Sequence, residues 1–401
     1  MKRKNVTTDV ITPKGFLFSA VEAAIKKPGR KDFALIYSEK EAVMSGMFTS
    51  NNVKAAPVKL DMKRIKTGKG QAIVVNSGNA NACSGEQGMK DALEMTGLIA
   101  EGLKLVRGSV YACSTGVIGT RMPMERIRGK IPGLIAGLEK GTIPDAAAAI
   151  MTTDTFPKMV SRRVRVGNET GAITGICKGA GMICPNMATM LCFILTDLGI
   201  EKPALDRALR EAVTPSFNKI TIDGDMSTND TVLIMANGMA GNRTVKNGSK
   251  SFKAFSSALS EVTGELSRLI VKDGEGATKL VEIMVKNARN RQDAENAAFA
   301  VANSLLVKTA IYGNDANWGR IMAALGYSGI PMDEEKTDIY FGRIKVVKNG
   351  ISAGKDREAA EVLRDREISI VIDLHAGKAS STVLTCDLTE GYVRINAEYR
   401  T

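Results

Sequence analysis

The sequence predicts an α/β fold, and three observations carry that expectation. Short apolar runs rich in β-branched residues alternate with helical patterns along the chain. Several of these runs end in Gly/Asn turns, the chemistry that closes a strand. At 401 residues and 44% apolar content the chain can also bury a substantial core, in two or three domains.

The elements follow in order. QAIVVNSGNANACSG (71–85) predicts a strand closed by a Gly/Asn turn, and DALEMTGLIAEGLKLV (91–106) predicts the helix after it. SVYACSTGVIG (109–119) repeats the design of a strand running into glycine. In KGAGMICPNMATMLCFILTD (178–197) a glycine-rich turn containing Pro-Asn meets an apolar strand, with Thr189 at the junction. Over residues 255–270, Phe255, Ala258, Leu259, Val262, Leu266 and Leu269 recur every three or four positions, which predicts an amphipathic helix. DGEGATK (273–279) then reads as a charged turn.

The last hundred or so residues read as a separate unit. DIYFGRIKVVKNGIS (338–352) predicts two strands around a Lys-Asn-Gly turn, EAAEVLRD (358–365) a short helix and EISIVIDLHAG (367–377) a strand. STVLTCDLTEGYVRINAEYRT (381–401) predicts a final strand pair. There is neither a low-complexity linker nor a repeat of solenoid period.

Composition excludes several functions. The net charge of +12 is scattered along the chain, and at 5% aromatic content it lacks the stacking platform of a nucleic-acid binder. A basic surface attracting small anionic metabolites is the expectation instead. MKRKNVTTDVITPKGF has no apolar stretch behind its basic residues, and no run approaches the roughly 18 apolar residues of a membrane span, so a cytoplasmic protein without membrane partners is expected. Cysteines 83, 113, 177, 184, 192 and 386 form no C-x-x-C pair and read as structural thiols.

The single histidine, His375, removes most hydrolytic sites, because it closes a strand with no nucleophile motif nearby. Zinc sites draw on several His and Cys at fixed spacing, and none is present. GEGATK (274–279) lacks the spacing of a phosphate-binding loop. DGDMSTND (223–230) begins like a calcium loop but has Thr228 in place of its glycine and Ile234 in place of its closing glutamate.

Thr189 remains. A threonine hydroxyl attacks well only beside a base, and an N-terminal threonine carries one in its own α-amine, whose ordinary pKa is near 8. An internal threonine acquires that amine only if the chain breaks before it. The Ala188 carbonyl lies where an N-to-O acyl shift onto the Thr189 hydroxyl could open the chain. The plain alternative is a β-branched residue opening a strand.

At this residue the sequence resembles a known family. KGAGMICPNMATML is similar to the cleavage motif of the ornithine acetyltransferases, also called arginine biosynthesis bifunctional proteins of the glutamate N-acetyltransferase type. The likeness spans nearly the whole chain through TPKGF, MFTSNNVKAAPV, VVNSGNANACSGEQG, CSTGVIG, TTDTFPK, FNKITIDGDMSTNDT, KTAIYGNDANWGRI and INAEYRT.

The resemblance implies a layered sandwich of helices around β-sheets like that of self-processing N-terminal-nucleophile proteins, with a smaller C-terminal α/β domain. It implies a nucleophile domain of residues 1–285 and a C-terminal domain of 286–401, with the chain cut between Ala188 and Thr189 into α (1–188) and β (189–401) fragments. Thr189 would take acetyl from N2-acetyl-L-ornithine and pass it to L-glutamate. Thr115 and Gly116 carry over as oxyanion donors, and Thr152, Lys178, Thr189, Glu275, Asn396 and Thr401 as substrate contacts, Thr153 standing as an alternative to Thr152. On charge, Lys178 and Asn396 suit a carboxylate and Glu275 an ammonium. The resemblance implies no metal or cofactor, leaves acetyl-CoA open as a co-substrate, and implies an α2β2 assembly whose partners are small-molecule substrates. Ala180, Cys184 and Met226 depart from the expected motif, and the apolar neighbours of Cys184 favour packing over catalysis. A self-processing aminopeptidase or amidohydrolase, with water as acceptor, is the alternative enzyme.

Overall fold

Period-two alternation builds both faces of the first sheet. The computed structural model describes residues 10–184 and 190–398. This sheet holds β1 (Phe16–Val21), β2 (Phe33–Phe48), β3 (Lys69–Asn76), β4 (Val110–Ser114), β5 (Lys158–Val166), β6 (Glu169–Lys178), β7 (Leu191–Thr196) and β8 (Thr231–Ala236). Its order is β4-β3-β2-β8-β7-β6-β5, with β1 paired to β2. β3 runs parallel to β4 and β7 parallel to β8, and the other neighbours are antiparallel.

The helices of this unit are α1 (Ala56–Arg64), α2 (Gly85–Gly102), α3 (Met124–Ala136), α4 (Ile143–Ala149), α5 (Lys202–Val213) and α6 (Lys250–Lys272). Ala34, Ile36, Ile73, Val75, Tyr111 and Cys113 form one apolar cluster with Ile143 and Ala146 of α4. The intervening Phe33, Leu35, Ala72, Val74, Val110 and Ala112 form another with Met95 and Ile99 of α2 and Ile127 and Leu134 of α3. Both faces of the central strands are therefore dry, which is why they read as continuous apolar runs. The amphipathic helix expected over 255–270 lies within α6; a Cβ at Gly175 of β6 would come within 2.9 Å of Val262 and Leu266, so the glycine admits that helix.

The described chain divides into two compact units, one of residues 10–179, 190–218 and 226–270, the other of 180–184, 219–225 and 271–398. The second contains β9 (Leu280–Ala288), β10 (Asp338–Phe341), β11 (Ile344–Lys348), β12 (Ile351–Ser352), β13 (Glu367–Asp373) and β14 (Ala379–Cys386), in the order β12-β11-β10-β13-β9-β14. Its helices are α7 (Arg291–Asn303), α8 (Leu305–Tyr312), α9 (Trp318–Gly326), α10 (Asp356–Val362) and α11 (Glu390–Ala397). Val281, Ile283, Ile370 and Val383 of the sheet pack with Ala294, Ala298 and Val301 of α7. The expected domain boundary, between residues 285 and 286, lies inside β9.

The α/β class holds, and three local expectations are corrected. The helix expected at 91 starts at Gly85, because Gly88 lets its first turn sit against Asn81 and Ser84, where a Cβ would come within 2.4 Å of both side-chain oxygens. The Lys-Asn-Gly turn joins β11 to β12, while a second turn at Gly342, φ 55°, separates β10 from β11 and makes three strands of the expected two. The expected final strand pair is β14 followed by a helix. Thr389 caps α11 by accepting the Gly391 N–H, and the half-buried Tyr392 and Ile395 fall three residues apart, a helical spacing that their alternating neighbours conceal.

Among the described residues no helix is long and apolar enough to cross a membrane. His375 lies just past β13 with φ 47°, its ring 3.3 Å from Asp338 and 3.6 Å from Asp373, an arrangement that ties the end of the second sheet.

Candidate active site

The oxyanion candidates sit where β4 runs out. Asp61 of α1 accepts the Ala112 N–H on both carboxylate oxygens, at 3.1 and 3.2 Å, and so anchors that strand. Past its end, Thr115 N–H is spent on the Asn76 carbonyl at 3.0 Å. Gly116 adopts φ 137°, a conformation open to glycine, and a Cβ there would lie 2.5 Å from the Gly78 carbonyl carbon. The facing turn is fixed in its own right, since Asn76 Oδ1 accepts the N–H groups of Gly78 and Asn79 at 3.3 and 3.0 Å. Two backbones thus meet at a distance that excludes any side chain.

That packing gives a prediction. Gly116→Ala suffers both a disallowed conformation and a backbone clash, which displaces the N–H expected from the resemblance to serve as an oxyanion donor. A displaced oxyanion donor lowers kcat by about 10²–10³-fold. Steady-state kinetics on folded protein checks it, and a kcat near the parent value would remove Gly116 from the site.

Thr152 and Lys178 converge through a residue that sequence reasoning missed. Asp154 Oδ2 accepts the Thr152 N–H at 3.0 Å, and Oδ1 accepts the Gly179 N–H at 2.7 Å and Lys158 Nζ at 2.6 Å. Burial alone would raise the Asp154 carboxyl, but the charges of Lys158 and Lys178 outweigh it and hold the group well below the usual carboxylate range. Lys178 ends β6, is 3% exposed, and pairs across the ladder with Leu191. The signal was present in TTDTFPK, an Asp and a Lys four apart, but sequence alone does not reveal that both are dry.

Ala188, Thr189 and Thr401 lie outside the described residues. Their nearest described neighbours are held firmly. Met190 donates its N–H to Asp230 Oδ1 at 2.9 Å and accepts the Thr231 N–H at 3.1 Å. In the second unit, the N–H groups of Met182 and Ile183 donate to Asp223 at 2.6 and 2.9 Å. Burial, and secondly the charge of Asp223, pushes the Cys184 thiol up to about 11, so it carries little thiolate at neutral pH, as its apolar neighbours suggest.

The second unit also joins Glu275 and Asn396. Glu275 N–H donates to the Ala180 carbonyl at 2.7 Å, and its Oε2 accepts Asn396 Nδ2 at 2.8 Å. Gly181 makes room, because a Cβ there would lie 2.4 Å from the Glu275 carboxyl carbon. α11 reaches this turn because Thr389 Oγ1 donates to the Gly276 carbonyl at 2.7 Å, and Gly276, φ 68°, lets the helix start approach. The Asn396 amide is therefore engaged with Glu275, an arrangement the charge argument did not anticipate.

Comparison with known proteins covers the same elements. A family model described as the ArgJ family matches residues 17–401. The arginine biosynthesis bifunctional protein ArgJ of Geobacter sulfurreducens is 56% identical over 390 residues, 97% of this chain and 99% of its own. That of Caldanaerobacter subterraneus is 53% identical over 394 residues, 97% of this chain and 98% of its own. A solved Bacillus halodurans structure of the same name is 43% identical, covering 51% of this chain and 97% of its own with a TM-score of 0.49. With a match running from β1 through the turn after β4, the strand bearing Lys178 and the helix bearing Asn396, this chain belongs to the ArgJ family.

Proposed function

We propose that this chain, an acetyltransferase of arginine biosynthesis by family, opens itself before Thr189 and moves acetyl from N2-acetyl-L-ornithine to L-glutamate by a ping-pong cycle. The observation that carries the reading is the 56% identity, over 97% of the chain, to a protein named for arginine biosynthesis. The geometry of the β4 turn supports it, since Thr115 and Gly116 lie at a strand end fixed by Asn76 and Asn229.

In self-scission the Thr189 hydroxyl adds to the Ala188 carbonyl, the peptide C–N bond breaks as the nitrogen gains a proton, and water hydrolyses the resulting ester. Thr189 is left with a free α-amine. In the first half of the cycle that amine takes the hydroxyl proton while Oγ attacks the acetyl carbonyl. The Thr115 hydroxyl and Gly116 N–H meet the oxyanion. The C–N bond to ornithine breaks as the proton passes to the leaving nitrogen, and acetyl remains as a threonine ester. In the second half the glutamate amine attacks that ester, the C–O bond to Thr189 Oγ breaks as the amine's proton returns to that oxygen, and N-acetylglutamate departs. Attack and proton transfer come from one residue, so the cycle calls on no metal or organic cofactor. Thr152, Lys178, Thr189, Glu275, Asn396 and Thr401 would be the substrate contacts, Lys178 and Asn396 suiting a carboxylate on charge and Glu275 the ornithine ammonium. The fragments would assemble as α2β2 in the cytoplasm, with small molecules rather than nucleic acid or membrane as partners.

The experiment is an intact-mass measurement of purified protein followed by an acetyl-transfer assay with and without acetyl-CoA. Fragments divided before residue 189, with N-acetylglutamate formed from acetylornithine and glutamate, are expected. A single unbroken chain with full activity would refute the reading, and acetate plus ornithine in the presence of glutamate would favour a hydrolase. The acetyl-CoA arm decides whether that donor is also used. A narrower prediction concerns Glu275→Gln, which removes a charge-assisted contact and raises KM for acetylornithine about tenfold, leaving that for glutamate within about threefold. Equal shifts for both substrates would reassign the residue.

A further inference from the structure

Asn229 and Asp230 stand side by side in MSTNDT, immediately before β8. Their side chains serve two different parts of the first unit. Asn229 Nδ2 donates to the Ser114 carbonyl at 2.7 Å and the Ala80 carbonyl at 2.6 Å. Ser114 precedes Thr115, and Ala80 belongs to the turn that faces Gly116. Asp230 Oδ1 accepts the N–H of Met190, the residue after Thr189. One dipeptide therefore grips the chain beside the oxyanion donors and again beside the nucleophile.

Both side chains are dry, Asn229 at 5% exposure and Asp230 at 0%. Among the described residues Asp230 Oδ2 has no hydrogen-bond partner. The Thr49 hydroxyl nearby is turned to the Ser227 carbonyl at 2.8 Å. Burial raises the Asp230 carboxyl well above its ordinary range, and the Met190 amide, the Lys178 charge and the Thr49 hydroxyl oppose this without reversing it.

We infer that Asn229 and Asp230 are positioning residues for the acetyl-transfer reaction, their shared backbone setting the spacing between the oxyanion turn and the chain at residue 190. The inference rests on the reading of Thr189 as nucleophile. It gives the pair no contact with substrate, so their loss reaches chemistry rather than binding: a small misplacement of reacting groups costs rate even when substrate still binds.

The test compares Asp230→Ala, Asp230→Asn and Asn229→Asp with the parent enzyme, following the rate of chain scission, kcat, KM for acetylornithine and the pH profile. Asp230→Ala leaves the Met190 N–H without an acceptor and is expected to slow scission and lower kcat by about 30- to 100-fold, with KM within about twofold. Asp230→Asn keeps an acceptor of the same size and shape, so its loss stays within about fivefold and its pH profile runs parallel to the parent's. Asn229→Asp removes both donated bonds and lowers kcat by about tenfold or more. The inference is overturned if Asp230→Ala keeps the parent kcat, if Asp230→Asn falls as far as the alanine variant, or if KM rises in step with the loss of kcat. Should the alanine variant fail to fold, the other two decide, since retention of parent kcat by Asn229→Asp also overturns it. A parent enzyme that neither splits nor transfers acetyl would instead defeat the functional reading.

Discussion

Thr189→Ala is expected to purify as one unbroken chain of 42.8 kDa and to exchange no acetyl between acetylornithine and glutamate. In the proposed cycle one hydroxyl both opens the peptide bond and carries the acetyl ester, so both steps fail together. Removing a nucleophile of this kind costs up to about 10⁶-fold in kcat, leaving only what binding and the oxyanion donors provide. Thr189→Ser keeps the hydroxyl, and with it scission and transfer at reduced rates. Intact mass and a direct assay for N-acetylglutamate read both variants. Acetyl exchange at the parent rate by the alanine protein, or by a chain that stays whole, would displace residue 189 from the mechanism.

Asp154→Ala has the largest expected effect on stability. Lys158 is 0% exposed, 2.6 Å from the Asp154 carboxylate, with the ring of Phe156 5.0 Å from its ammonium. Removing the carboxylate takes a charge partner from a cation that water does not reach, at a cost of about 3–5 kcal/mol, a large part of the stability of a typical domain. Chemical denaturation at neutral pH measures it. The double variant Asp154→Leu/Lys158→Met replaces the ion pair with apolar groups and recovers most of the stability. It does not recover substrate affinity, because the Thr152 and Gly179 N–H groups still lack their acceptor. Recovery of both would make Asp154 a packing residue only.

The sign of the pH dependence follows from the depressed carboxyl. A carboxylate whose folded-state pKa lies below its unfolded value stabilises the fold at all pH values above the unfolded one, near 3.9. That contribution fades as the pH falls from there through the folded value. The difference between parent and Asp154→Ala is therefore constant through the neutral range and closes only in strong acid.

Much of the first unit was legible because its strands are dry on both faces and its turns are rich in glycine. The strand running into glycine expected over 109–119 is β4 and the turn at Gly116. The terminal helix was not legible: Tyr392, Val393 and Ile395 sit among polar neighbours in a pattern that also suits a strand, and the Thr389 cap and the docking on Gly276 decide between them. Asp154, Asn229 and Asp230 were hidden for a related reason. An acidic or amide side chain announces its charge or its donors, whereas its burial and its backbone partners, 25 to 149 residues away for the contacts of Asp154 with Gly179 and Asn229 with Ala80, exist only once the sheet has closed.

Were the chain cut before residue 189, as proposed, the strand order would hold the two pieces together. A break before residue 189 leaves β7 and β8 on one polypeptide and β1 to β6 on the other, yet β8 is sandwiched between β2 and β7, and β7 between β8 and β6. Two backbone seams, β2 with β8 and β6 with β7, hence cross from one piece to the other. The halves are interlaced, and dilution does not part them. Separating them would mean melting the middle of that sheet, so the first unit of a nicked chain would denature as a single body and the pieces, once apart, would have to fold together again in order to rejoin.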